Sequence, residues 1–230
     1  MSIDRLSAED RLMVGASEIW PQHIGAIAFI DGQNLYRHAK DAFGDGYHHP
    51  NYDPIKLTDA VCVAKGWERR GVRFYTGTHS EAVSPMWHGY WARRTLAMRR
   101  AGVLVTTRPV RYQTQNVELA DGAYESITIG HEKGIDLRLA LDAVRLTLQD
   151  RLDVALIFSQ DQDLAELATE LKEISKATGR WVKVACAFPA SPQASSRRGI
   201  DGSDWFEMDL AFYSACIDPY DYRPKPSQKK

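Results

Sequence analysis

Three aspartates stand where a chain could do chemistry that needs concentrated negative charge. Asp31 ends the apolar run Ala26–Ile30 and leads into Gly32-Gln33-Asn34. Asp161 follows the run Val154–Phe158 within Ser159-Gln160-Asp161-Gln162-Asp163, and Asp136 opens a helical stretch over 135–149. Carboxylates gathered from separate segments repel one another; two at ~4 Å do so by about 4 kcal/mol at an effective dielectric of ~20. Either one of them takes up a proton or a cation fills the gap. Oxygen-only donors at this density suit Mg²⁺ or Mn²⁺, hard ions that keep several waters and share coordination with phosphate oxygens. Each acid also has a plainer use. Asp161 could cap a helix beginning at Gln162, and Asp136 one beginning at Leu137, while Asp163 suits the positive end of a helix. Asp31 argues hardest for chemistry, because a lone carboxylate at the end of an apolar run is poorly solvated. Asn34 and Ser159 are placed either to orient the aspartates by hydrogen bonds or to satisfy turn backbone.

Positioning such a cluster calls for strands that end together. Five short runs rich in Val, Ile, Phe and Ala, at 26–30, 72–76, 103–107, 154–158 and 182–187, show little polar alternation, which suits strands buried on both faces. Helical spacing returns between them, in Leu137, Ala140, Leu141, Val144 and Leu148 and again in Leu164, Leu167, Ala168, Leu171 and Ile174. Strand alternating with helix predicts an α/β fold, a three-layer sandwich with a mainly parallel central sheet. Ligands of such sheets bind beyond the carboxyl ends of the strands, where Asp31 and Asp161 fall. One domain over 24–217 is predicted, after an N-terminal extension at 1–23 and before a tail at 218–230. An insert at about 109–130 reads as a hairpin, from Val110–Gln113 and Ser126–Ile129, and 189–204 reads as a flexible loop.

Composition narrows the classes. Lys and Arg number 29 against 30 Asp and Glu, so no global field favours nucleic acid and any such surface must be local. Three scattered cysteines, Cys62, Cys186 and Cys216, argue against a disulfide framework or a structural zinc site. No apolar run approaches the ~18 residues of a membrane span, and the first ten residues lack a signal-peptide core. A cytoplasmic protein with no membrane partner is expected. Local basic candidates are Arg93 and Arg100 on one helix face beside Trp87, Tyr90 and Trp91, then Lys133, and Arg197 with Arg198 in the loop. The aromatics read first as sheet packing, and the arginines serve equally as a solvated face.

The segments Phe29-Ile30-Asp31-Gly32-Gln33-Asn34-Leu35, Glu132-Lys133-Gly134-Ile135-Asp136-Leu137 and Ser159-Gln160-Asp161-Gln162-Asp163-Leu164 resemble, in order and spacing, the three signature segments of the NYN domain, within the PIN-like nuclease superfamily. Phe74-Tyr75-Thr76-Gly77 and Arg100-Ala101-Gly102 agree with it, and the resemblance spans about residues 24–210. It implies a PIN-like fold and divalent-metal-dependent cleavage of RNA. Asp31, Asp136 and Asp161 would be the catalytic, metal-binding acids, with Asp163 beside them. Gln160 stands where the family usually has glycine, which predicts a strained turn or a narrowed substrate path if that position needs a positive φ or close backbone approach. A PIN-like module that binds RNA or protein without cutting is the alternative. Toprim and haloacid-dehalogenase-type enzymes fit less well, since the first requires a glutamate at Asp31 and the second an aspartate at Gln33. The insert and the segment 205–217 could supply a homodimer interface.

Overall fold

The computed structural model describes residues 23–44, 51–118 and 124–224; all but the last residue of the N-terminal extension, the histidines at 48 and 49, and the last six residues lie outside them. Six strands form one sheet in the order β3-β2-β1-β6-β7-β8: β1 (Gly25–Asp31), β2 (Glu68–Thr78), β3 (Leu104–Pro109), β6 (Val154–Phe158), β7 (Lys183–Pro189) and β8 (Asp204–Met208). All five pairings in it are parallel. The remaining strands, β4 (Arg111–Glu118) and β5 (Tyr124–His131), make the hairpin expected of the insert and pair only with each other.

Alternation along β1 sorts the core into two layers. Ala26, Ala28 and Ile30 face α1 (Gly32–Phe43), α2 (Pro54–Lys65) and α3 (Pro85–Arg100), packing with Leu35, Leu57, Trp91 and Met98. Ile27 and Phe29 face the other way, onto Leu139 and Leu146 of α4 (Ile135–Leu148) and Leu167 and Leu171 of α5 (Ala165–Thr178). The result is the three-layer α/β sandwich that the strand pattern predicts. Trp87, Tyr90 and Trp91 belong to the first layer, where Tyr90 meets both tryptophans edge to face. All three cysteines are free and buried.

Two expectations need correction. The apolar row read on α4 is not its core face: Leu137, Leu141 and Leu148 are exposed, while Ile135, Leu139, Ala143 and Leu146 are buried. The helix is apolar on two sides, and the buried side also carries Asp142. That acid disguises it, but its carboxylate is satisfied by Tyr75 and the arginines 138 and 145. Within the domain predicted over 24–217, residues 205–217 supply most of the edge strand β8 and the short α6 (Leu210–Ala215). The chain after 217 does not leave the surface at once: the Asp218 N–H donates to the Asn51 carbonyl, and Tyr222 is buried against Tyr90.

Candidate functional site

Strand order places the site. Chain connections run outward from β1 to β2 and β3 on one side and through β6, β7 and β8 on the other, so the crevice opens where β1 and β6 lie side by side. Asp31 is the last residue of β1 and the N-cap of α1, accepting from the Asn34 N–H at 3.0 Å. Asp161 follows β6 and caps a single 3₁₀ turn (Gln162–Leu164), accepting from the Asp163 N–H at 3.1 Å, while its own N–H donates to Ser159 Oγ. Asn34 ties the two ends together, its Oδ1 accepting from the Gln160 N–H at 2.8 Å. Asp136 is not a cap. It is the second residue of α4, whose N-cap is Gly134 in the left-handed region at φ 73°, and among the described residues it makes no hydrogen bond or ion pair.

These acids share one cavity of about 360 Å³, lined by Asp31, Asn34, Asp136 and Asp161 together with Arg37, His131, Glu132 and Lys133. Asp31 is 7% exposed. Burial, then the charges of Asp161 and Asp136, push its carboxyl up to about 6 against two opposing backbone hydrogen bonds. Glu132 is pushed up to about 7, again chiefly by burial, with the Gly77 N–H and Arg37 pulling the other way and Asp31 adding to the rise.

Glu132 and Arg37 were not read from the sequence as site residues. Glu132 stands in the second signature segment but four residues before its aspartate. Its reach into the cavity depends on the hairpin, whose second strand ends at His131. Arg37 lies on α1 three residues beyond Asn34, hence on the same helical face, and that spacing was a usable signal. Glu132 Oε1 accepts from the Gly77 N–H at the end of β2. A Cβ at Gly77 would overlap that carboxylate and come within 2.7 Å of Glu132 Cγ and Cδ. Gly77→Ala is therefore expected to cost about 1–3 kcal/mol as overpacking, seen as a lower urea midpoint. Adding Glu132→Ala should return most of it, and simple additivity of the two changes would refute the contact.

The other candidates are scattered. Asp163 is exposed on the 3₁₀ turn and does not line the cavity. Lys133 lines it. Arg93 and Arg100 do not: α3 runs back from the end of β2 toward the start of β3, which carries Arg100 to the sheet edge opposite the acids. Arg93 donates to the Arg223 carbonyl. Arg94 between them is buried, donating to the Tyr52 carbonyl. Arg197 is exposed, 3.5 Å from Glu207. Gln160 neither strains its turn nor narrows the cavity. Asp150 alone among described non-glycine residues has a positive φ, and the Gln160 side chain turns away from the cavity to bond the 196 and 198 carbonyls.

Whether the residues fit a divalent ion can be tested on the donor set. All the candidate donors are hard oxygens, and four carboxylates line one cavity with burial and mutual repulsion raising two of them. No three His, Cys, Asp or Glu side chains among the described residues stand close enough to enclose an ion directly. Carboxylate oxygens are the donor type that Mg²⁺ and Mn²⁺ take.

Among the described residues no helix is long and apolar enough to cross a membrane. No curated protein matches the chain. The solved structures that resemble it include the following two. One is a protein of unknown function from Vibrio parahaemolyticus, at 18% identity and TM-score 0.48 over 84% of this chain and 96% of that one. The other is MurG from Acinetobacter baumannii, at 8% identity and TM-score 0.31 over 80% of this chain and 45% of that one. Residues 26–198, three quarters of the sequence and the stretch containing all the cavity-lining acids, match the NYN domain, and the chain belongs to that family within the PIN-like nuclease superfamily.

Proposed function

We propose that this protein is a divalent-metal-dependent ribonuclease that hydrolyses RNA phosphodiester bonds at the cavity between β1 and β6. The observation that supports this most is the convergence of Asp31, Glu132, Asp136 and Asp161, from three sequence-distant segments, on one cavity that also holds Arg37 and Lys133. A bound Mg²⁺ or Mn²⁺ would supply a water of lowered pKa and offset charge on the reacting phosphate. The chain's own part is placement. Asp31, Asp136 and Asp161 offer carboxylate oxygens to the ion, and the Asn34–Gln160 bond holds the ends of β1 and β6 at a fixed spacing. Arg37 and Lys133 sit where they would meet phosphate oxygens. Glu132, with its carboxyl near neutrality, can hold or release a proton at its Oε2.

A module that binds RNA without cutting draws support from one finding, the absence of a ready three-ligand geometry among the described residues. Incubating labelled RNA and DNA with the protein in Mn²⁺ or in EDTA separates the two. Cleavage of RNA that needs Mn²⁺ and disappears in Asp161→Asn supports the nuclease. Retention of RNA without cleavage in either condition supports the binding module.

A further inference from the structure

The loop between β7 and β8 carries two exposed arginines, Arg197 and Arg198, yet it is pinned along its length. Ser195 donates from its N–H and its hydroxyl to Asp41 on α1, at 2.7 and 2.8 Å, and Ser191 Oγ donates to the Ala42 carbonyl. Gln162 Nε2 donates to the Gly199 carbonyl at 2.9 Å, and the Ile200 N–H donates to Cys186 Sγ. The arginines themselves are held from beneath by one side chain. Gln160 Nε2 donates to the carbonyls of Ser196 at 3.4 Å and Arg198 at 2.9 Å, bracketing Arg197.

Gln160 is 7% exposed, and its Oε1 has no partner. A buried amide oxygen left unsatisfied costs stability, so what the residue contributes is the fixed place of the loop. Its own N–H is bonded to Asn34, and the next residue is Asp161, so the loop is tied to the residue between two that line the acidic cavity, Asn34 by hydrogen bond and Asp161 by sequence. The acids that accompany the arginines, Glu207 and Asp201, form exposed pairs with them. Such pairs are weak enough to yield to a phosphate.

We propose that Gln160 is a positioning residue whose buried amide fixes the 195–200 loop as a basic rim beside Asp161, so that Arg197 and Arg198 meet the phosphates of a single RNA strand entering the cavity. This rests on the nuclease reading for the identity of the ligand, while the fixing of the loop stands apart from it. A glycine at this position could not make either bond.

The test uses the full chain with Gln160→Ala and Gln160→Gly. Brief trypsin digestion followed by mass spectrometry reads the loop. Nicking after Arg197 or Arg198 is expected to speed up by about tenfold in both variants, as residues freed of two tethers open locally. Unchanged nicking overturns the positioning role. Binding of single-stranded RNA in EDTA, where nothing is cut, reads the ligand. Each Gln160 variant should bind roughly tenfold more weakly, the cost of reordering one or two loop residues. Arg197→Ala with Arg198→Ala should lower the salt slope of binding by about 1.4, or ~0.7 for each phosphate no longer neutralised. Adding Gln160→Ala to that pair should weaken binding no further, and additive losses would overturn the link. If the parent protein does not hold RNA at all, the phosphate role falls with the nuclease reading, and the nicking result still decides what Gln160 does.

Discussion

Asp31→Asn is expected to reduce Mn²⁺-dependent RNA cleavage by about two orders of magnitude or more and, in the same protein without metal, to raise thermal stability at pH 8. The two effects share one cause. Burial and the neighbouring acids lift the Asp31 carboxyl from 3.8 to about 6, so the folded protein prefers it neutral. A carboxyl raised in this way adds stability that is complete below its unfolded pKa and is lost as pH climbs through the folded value. At pH 8 the parent therefore carries a charge penalty on the order of 3 kcal/mol, which the amide does not incur. The variant keeps the cap, since an asparagine oxygen can also accept from the Asn34 N–H. Its advantage should be about 5 °C at pH 8, allowing for relaxation, and should vanish near pH 4. A divalent ion should then stabilise the parent at pH 8 and leave the variant unmoved. Equal melting temperatures at pH 8, or equal gains from Mn²⁺, would show that Asp31 is not the strained member of a cation site.

Arg94→Ala is expected to cost about 3–5 kcal/mol of unfolding free energy, a loss near 10 °C in melting temperature, with little change in any RNA affinity. The guanidinium is 1% exposed. It donates to the Tyr52 carbonyl, lies 3.9 Å from Asp218, and sits 5.5 Å from the ring centres of both Tyr52 and Tyr222. It thus joins α3 to the segment before α2 and to the chain after α6. Arg94→Lys should recover only part of the loss, because an ammonium cannot offer the same planar fork. Urea denaturation gives the comparison, and a cost under about 1 kcal/mol would mean that the aromatic packing alone holds these three segments.

The buried parallel strands were legible because their code is simple: a strand covered on both faces needs unbroken apolar runs, and β1, β6 and β7 have them. β8 was not legible. As an edge strand reading Asp-Trp-Phe-Glu-Met it mixes charge with bulk, and only its pairing with β7 makes it a strand. The helix over 54–65 was missed although it had its own punctuation, Asp53 as cap, Pro54 at the first position and Gly66 after the end, in signals that need no tertiary context. On α4 the period was right and the face wrong, because periodicity alone cannot choose between two apolar rows when one contains a satisfied acid. Asp31 and Asp161 were readable as neighbours from their strand ends, and Asp136 from the start of its helix; all three line the cavity. Glu132 was not, since its partner, the Gly77 N–H, lies 55 residues away on another strand. Arg93 and Arg100 failed as cavity residues for a related reason: a crossover helix spans the sheet, and their place on it carries them away from the carboxyl edge.

The side-by-side placement of β1 and β6 bears on how the chain is made. Gly25 and Asp153, bonded across that junction, are 128 residues apart, and closing such a loop costs about 4 kcal/mol in chain entropy beyond a constant term. A nascent chain still lacking β6 has only one wall of the crevice and one of the two strand-end acids. The centre therefore takes shape only when synthesis has passed the 160s. Polypeptides released before that point would lack the acidic cavity.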